Sequence, residues 1–205
     1  MIKITCYRVG MIETNCYLIE DEATGDTAVI DPGDHSDALI KELDRLGRLD
    51  YLLLTHGHYD HILGAAELCD RYHPTVCACE KELELIKEPR LNLSANHGLH
   101  IDPFTVDKAL SDGDRFMLGE SEITFIHTPG HTAGSGCYIV DGCIFSGDTL
   151  FYGSVGRTDF PTSSMSDMMR SVARLGALDG EYNVYPGHEM FTTLSFERKY
   201  NPFMR

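Results

Sequence analysis

The chain has 205 residues, 42% hydrophobic and 24% charged, a balance that suits one folded domain with a substantial core and excludes a disordered or fibrous chain. Seventeen Lys and Arg against 32 Asp and Glu leave a net charge of -15, which disfavours nucleic-acid backbones and anionic membrane surfaces as partners. No run approaches the ~20 apolar residues of a membrane span, and MIKITCYRVG lacks the apolar stretch of a signal peptide, so a cytoplasmic protein is expected.

Three short β-type segments open the chain, IKITCYRV, NCYLIE and TAVID, and read as an antiparallel meander. After the turn Asp31 to Gly33, Ser36 can cap a helix whose apolar positions Leu39, Ile40, Leu43 and Leu46 recur at helical spacing, with Gly47 ending it. The apolar run YLLLT predicts a buried strand. A second helix is expected over about Ile62 to Tyr72, then strand TVCAC and a third helix from about Glu80 to Lys87. From Glu88 to Asp114 the pattern dissolves into a stretch longer than most connections in compact domains, as lids and binding loops often are. Strands resume at RFML, EITFIHT, GCYIV and CIFS, followed by a Met-rich helix near Met165 to Leu175, strand NVYP and a last helix through about Lys199. Strand clusters separated by helices in both halves suggest two packed sheets with helices outside. The seven cysteines are odd in number, sit mostly in apolar strand-like contexts and form no CxxC pair; they read as reduced core residues, with a zinc-thiolate site as the alternative.

The strongest chemical signal is THGHYDH, Thr55 to His61, directly after YLLLT. His56 and His58 alternate around Gly57, so an extended turn can face both imidazoles at one point, while Asp60 and His61 follow where the next helix begins. Three imidazoles and a carboxylate within six residues supply the ligands that Zn²⁺ or Fe²⁺ prefers. Three later strands end in similar punctuation, FIHTPGHTAG, CIFSGDTL and NVYPGHE, each placing His131, Asp148 or His188 one residue after a glycine. A lone GD or GH is usually a solvated turn, but four such strand ends together point to a metal site. His35, His73, His97, His100 and His127 lie outside these motifs and read as ordinary side chains.

THGHYDH, TPGHTAG, SGDTLF and YPGHE resemble the metal motifs of the metallo-β-lactamase superfamily, and the spacing with LFYGSVGRTDFP most resembles its hydroxyacylglutathione hydrolase (glyoxalase II) branch. The similarity runs from NCYLI and DPGD nearly to the end of the chain. It implies an α+β four-layer αβ/βα sandwich with the site at one edge between the sheets. It further implies two divalent metal ions (Zn and/or Fe), one on His56, His58 and His131 and the other on Asp60, His61 and His188, with Asp148 bridging. Asp31 could orient a ligand histidine, as matching aspartates in the superfamily suggest, or simply form the turn before its proline. That branch carries a further helical C-terminal domain that helps to bind glutathione, whereas this chain ends shortly after His188. A small single-domain form, residues 1–205, is therefore expected.

Two ions about 3.5–4 Å apart can share a water, lower its pKa and polarise a carbonyl oxygen. With no obvious general acid in the motifs, a thioester of a small molecule is the expected substrate, because its thiolate leaves with little proton assistance. Asp60 is expected to orient the attacking oxygen. Arg157 in GRTDF could hold an anionic substrate group or pair with Asp159. Two alternatives remain at this level: a single-iron persulfide dioxygenase on His56, His131 and Asp148, and a metal-stabilised binding module without catalysis.

Overall fold

The computed structural model describes residues 1–204. Its first sheet holds β1 (Ile2–Val9), β2 (Thr14–Asp21), β3 (Thr27–Ile30), β4 (Tyr51–Leu53), β5 (Thr75–Cys79) and β6 (Lys108–Leu110), in that spatial order. The opening meander is antiparallel as expected, and from β3 to β6 the strands run parallel. Parallel neighbours need crossovers, which α1 (Asp37–Leu46) supplies from β3 to β4, α2 (Tyr59–Ile62) and α3 (Ala65–Tyr72) from β4 to β5, and the segment 80–107 from β5 to β6.

The second sheet contains β7 (Arg115–Leu118), β8 (Ser121–His127), β9 (Gly136–Val140) and β10 (Cys143–Gly147), all antiparallel neighbours. A small hairpin, β11 (Leu150–Phe151) with β12 (Ser154–Val155), follows. Beyond it β13 (Asn183–Pro186) joins β10 in parallel and β14 (Thr192–Thr193) closes that edge. Because β8 and β10 both oppose β9, and β13 parallels β10, those three strands deliver their carboxyl ends to the same edge.

The period-2 alternation of the strands sorts their side chains into separate cores. Tyr17, Ile19, Ala28, Ile30, Leu53, Cys77 and Cys79 face the second sheet, meeting Leu118, Phe125, Tyr138 and Phe145. The alternate residues Cys16, Leu18, Val29, Leu52, Val76 and Ala78 pack outward on Leu39, Leu43 and Leu68 of α1 and α3. On the far side Cys137, Ile144 and Val184 pack on Leu175 and Leu194, carried by two further helices (Met165–Gly176 and Leu194–Tyr200). The order helix, sheet, sheet, helix is the expected αβ/βα sandwich.

Local signals explain most boundaries. Ser36 caps α1 by accepting from Leu39 N, and Gly47 ends it at φ 73° with its N–H on Leu43 O. The helix expected over Ile62 to Tyr72 is broken in two, because Gly64 N–H donates to Pro32 O and draws the chain against the β3 end. The helix expected from Glu80 starts as a tight turn, Glu80–Glu82, and becomes α-helical only at Leu83–Lys87. The stretch from Glu88 to Asp114 is not structureless: it holds one helical turn, Ser94–His97, and the edge strand β6. All seven cysteines are free, five buried and Cys6 and Cys69 half-buried. Among the described residues no helix is long and apolar enough to cross a membrane.

Phe125 is fully buried between the sheets, its ring 5.3 Å from that of Tyr138. Replacing it with Ala should lower unfolding free energy in urea by about 3–5 kcal/mol, and an unchanged midpoint would contradict its place in the inter-sheet core.

Candidate metal centre

The four punctuated strand ends meet at the shared edge of the sandwich, and side chains of each sheet tie down the loops of the other. From the second sheet, Tyr138 Oη donates to Leu54 O and Gly136 N–H to Thr55 O, fixing the end of β4 where THGH begins. From the first sheet, Asn15 Nδ2 donates to Pro186 O at 3.0 Å and to Glu189 O at 3.1 Å, and Asn15 N–H donates to Gly187 O. Gly187 has no room for a side chain: a Cβ there would lie 2.4 Å from Asp148 Oδ1 and 2.7 Å from the His61 ring.

All seven sequence-predicted residues are brought together. His56, His58 and His131 form one group whose nitrogens lie within 4.8 Å of one another, and Asp60, His61 and His188 form another. Asp148 reaches both, with Oδ2 3.4 Å from His131 Nε2 and Oδ1 3.5 Å from His61 Nε2. His188 Nε2 stands 3.1 Å from Asp60 Oδ2 and 3.8 Å from Asp148 Oδ2. His58 ends the turn that leads into α2, and Asp60 and His61 lie within that helix.

Several ring nitrogens are held from behind. His61 Nδ1 bonds Asp31 Oδ2 at 2.9 Å, His131 Nδ1 bonds Arg157 O at 2.8 Å, and His56 Nδ1 is 3.2 Å from Thr55 Oγ1. Asp31, itself at φ 52°, also accepts from Thr55 N–H and Thr55 Oγ1, so it serves as both turn former and orienting partner. His56 Nε2, His58 Nε2, His61 Nε2 and Asp148 Oδ1 are buried with no hydrogen-bond partner among the described residues, and His58 turns its other nitrogen, Nδ1, to within 2.9 Å of His131 Nε2. Leaving such atoms unpaired costs about 1–3 kcal/mol each, and neutral imidazoles with carboxylates are the donor set that zinc or iron accepts, so the residues fit a metal site.

Electrostatics favours the ligand forms of His56, His58 and Asp60. Burial, reinforced by the neighbouring imidazoles, pushes His56 and His58 well below the ordinary histidine range. Burial alone would raise Asp60, but His61 and the hydrogen bond from His188 hold its carboxyl well below the usual range. His61 is raised despite burial because Asp60, Asp148 and Asp31 surround it. Burial thus keeps His56 and His58 neutral in the first group, whereas His61 of the second is ringed by carboxylates. The groups able to hold a metal contain no cysteine among the described residues, which removes the support for a thiolate site.

The centre opens into a cavity of about 720 Å³ walled by Ile12, Leu93, Phe151, Val155 and Phe160, with the rings of Tyr59 and His97 tilted against each other at 4.7 Å on one side. Arg157 lines it too, but its guanidinium is held by Asp159 at 2.8 and 2.9 Å and lies 4.2 Å over the Phe160 ring. The ion pair with Asp159 expected from the sequence is formed, on an exposed side chain at the cavity wall. Of the two histidines in the long loop, His97 lines the cavity and His100 does not. Leu93, at φ 68°, and the buried Glu82 went unselected, one inside an irregular loop and the other in a charged helical stretch.

The profile of the Metallo-beta-lactamase superfamily matches residues 9–188. The chain belongs to this superfamily. Among its relatives, the hydroxyacylglutathione hydrolase GloC of Haemophilus influenzae is 32% identical, the match covering 99% of this chain and 98% of the relative. Among solved structures, the BLEG-1 B3 metallo-beta-lactamase superposes with a TM-score of 0.91 at 31% identity, covering 100% and 99% of the two chains. TTHA1623, solved in a di-iron-bound form, gives a TM-score of 0.86 at 34% identity over 97% and 99%. Both superpositions agree with the fold built up from the strand patterns above.

Asp31→Ala removes three hydrogen bonds behind the centre and frees the His61 ring. Zinc affinity, read by competition with a chromophoric chelator, should fall about 10–100-fold; wild-type affinity would show that Asp31 only shapes its turn.

Proposed function

We propose that this superfamily member is a metal-dependent hydrolase that uses two divalent ions, zinc or iron, to cleave a small-molecule thioester, residues 1–205 forming one catalytic domain. The observation that carries this reading is Asp148, whose two carboxylate oxygens reach separate three-residue groups at 3.4 and 3.5 Å. Resemblance to a named hydroxyacylglutathione hydrolase and to a fold neighbour solved with two irons supports it.

His56, His58 and His131 would hold one ion, Asp60, His61 and His188 the other, and Asp148 both. Bound there, the ions supply Lewis acidity and an acidified water. The chain's own part is to place that chemistry. Asp60, which Thr14 Oγ1 and His188 also approach, keeps an ionised oxygen at the centre to orient the attacking water. The walls of Phe151, Val155, Phe160 and Leu93 exclude bulk water from the carbonyl. Attack forms the new C–O bond, the C–S bond breaks, and the thiolate departs toward the open side of the cavity. Its conjugate acid has a pKa of about 8.5, so it needs no dedicated proton donor, whereas an amide nitrogen would.

In the single-iron dioxygenase alternative the Asp60, His61 and His188 group would have no ligand role. Its convergence and burial favour the two-ion hydrolase. Turnover of any thioester removes the noncatalytic binding module.

Fully loaded protein should contain close to two ions per chain by elemental analysis, and saturation at one would refute the two-ion assignment. Asp148→Asn should lower kcat/KM by about a hundredfold or more with the fold retained; near-normal turnover at full metal content would remove the bridging role.

A selectivity prediction follows from the cavity. Arg157 is paired with Asp159, and Arg8 lies 4.0 Å from Glu13, so neither cation is free to grip an anionic carrier. Lactoylglutathione should be preferred over the same acyl group on a smaller thiol by less than about a hundredfold, or ~2.7 kcal/mol. A larger preference would reveal a specific glutathione site. Iron-dependent oxygen uptake on a persulfide, without thioester hydrolysis, would assign the dioxygenase instead.

A further inference from the structure

One fully buried ionisable side chain has no part in the reaction just described. Glu82 closes the turn Glu80–Glu82, and its hydrogen-bond partners are three neutral donors. Oε2 accepts from Gly57 N–H at 2.9 Å, while Oε1 accepts from Gly134 N–H at 2.7 Å and from the Thr132 hydroxyl at 2.6 Å.

The placement of those donors is specific. Gly57 separates His56 from His58, and Thr132 to Gly134 directly follow His131. A single carboxylate therefore spans the two loops that carry the three-histidine group. None of its three donors belongs to α2 beyond His58 or to the His188 loop.

Approach on both sides is close enough to dictate residue type. A Cβ on Gly57 would lie 2.7 Å from Ile86 Cγ1 and 2.8 Å from Leu85 Cδ2, and one on Gly134 would lie 2.7 Å from Glu82 Cγ. The glycines of the two motifs thus admit the Glu82 turn between the loops. Thr132 N–H donates to Ser135 Oγ at 3.0 Å, and the two hydroxyls lie 2.7 Å apart, so the network ends on Glu82 as its terminal acceptor. Three converging donors require an acceptor at both ends of the side chain. A carboxylate provides that and an amide does not.

We propose that Glu82 is a positioning residue for the three-histidine group: its carboxylate sets the spacing between the His56–His58 loop and the His131 loop, and so governs that group's affinity for a divalent cation without governing the Asp60, His61 and His188 group. The inference rests on the two-ion reading above. A merely structural role would loosen the whole edge and weaken both groups alike.

The test is zinc binding by the metal-free full chain, followed by calorimetry and chelator competition, in wild type, Glu82→Gln, His188→Ala and the double variant. Glu82→Gln keeps the volume but turns an NH₂ toward at least one N–H donor. It should weaken one of two binding steps by about 10–100-fold and leave the other within about threefold. In the His188→Ala background, the step on the three-histidine group should carry the whole loss. Thr132→Val, which deletes one donor and spares the carboxylate, should weaken the same step by less, and it decides the question if Glu82→Gln does not fold. Two unchanged steps, or two steps weakened equally, overturn the proposal. Fewer than two zinc ions on the wild-type chain overturns the two-ion reading instead, and that failure is seen before any substitution is made.

Discussion

Three histidine nitrogens and one carboxylate oxygen are buried at the sandwich edge without a hydrogen-bond partner among the described residues, and much of the surrounding structure is organised around keeping them there. At about 1–3 kcal/mol each, four such atoms represent a large share of the roughly 5–15 kcal/mol by which a domain is stable. Left to itself a cluster like this would open to water or rearrange. It persists where the surrounding contacts leave it no alternative arrangement, and a cation at the centre turns the same cost into coordination.

That confinement comes from the interlocking of the two sheets. Tyr138 of the second sheet holds the carbonyl of Leu54 in the first, and Tyr17 and Asn15 of the first both hold the carbonyl of Pro186 in the second. The inter-sheet core of Phe125, Tyr138, Phe145 and Tyr17 sets how far apart those anchors lie, so packing geometry passes directly into ligand geometry. Asp31, at the end of β3, connects the backbone of Thr55 to the ring of His61 and converts strand register into ring orientation. Each ligand loop is therefore positioned by elements distant in sequence.

This also explains what could be read from the chain. The seven residues of the candidate centre were legible because each lies just past an apolar strand, and His58, His131, Asp148 and His188 follow a glycine directly, so local pattern and chemistry coincide. The long strands and the helix from Asp37 were legible through alternation, helical spacing and the Ser36 and Gly47 caps. Short elements were not: β6, β14 and the β11–β12 hairpin have two or three residues each, too few to show a period; β6 and β14 exist because longer neighbours offer them a ladder, while β11 and β12 pair only with each other. The break at Gly64 depends on a bond to Pro32 that no helical pattern announces. Glu82 was invisible for the same reason. In CEKEL it looks like a solvated charge, and only the arrival of Gly57 and Gly134 from two other loops gives it a function.

The acidity of the chain takes on a more specific meaning at the centre. Asp31, Asp60 and Asp148 are gathered among histidines, two of which, His56 and His58, burial keeps neutral, so divalent cations answer a local excess of negative charge. Farther out, the positive groups of the cavity are each committed to an acid, Arg8 to Glu13 and Arg157 to Asp159. With a net charge of -15 around it and no uncommitted cation among those two, the cavity discourages polyanionic carriers and presents chiefly apolar wall to what enters. On the thioester reading proposed above, selection would fall on the shape of the acyl and thiol groups and on the electrophilicity of the carbonyl.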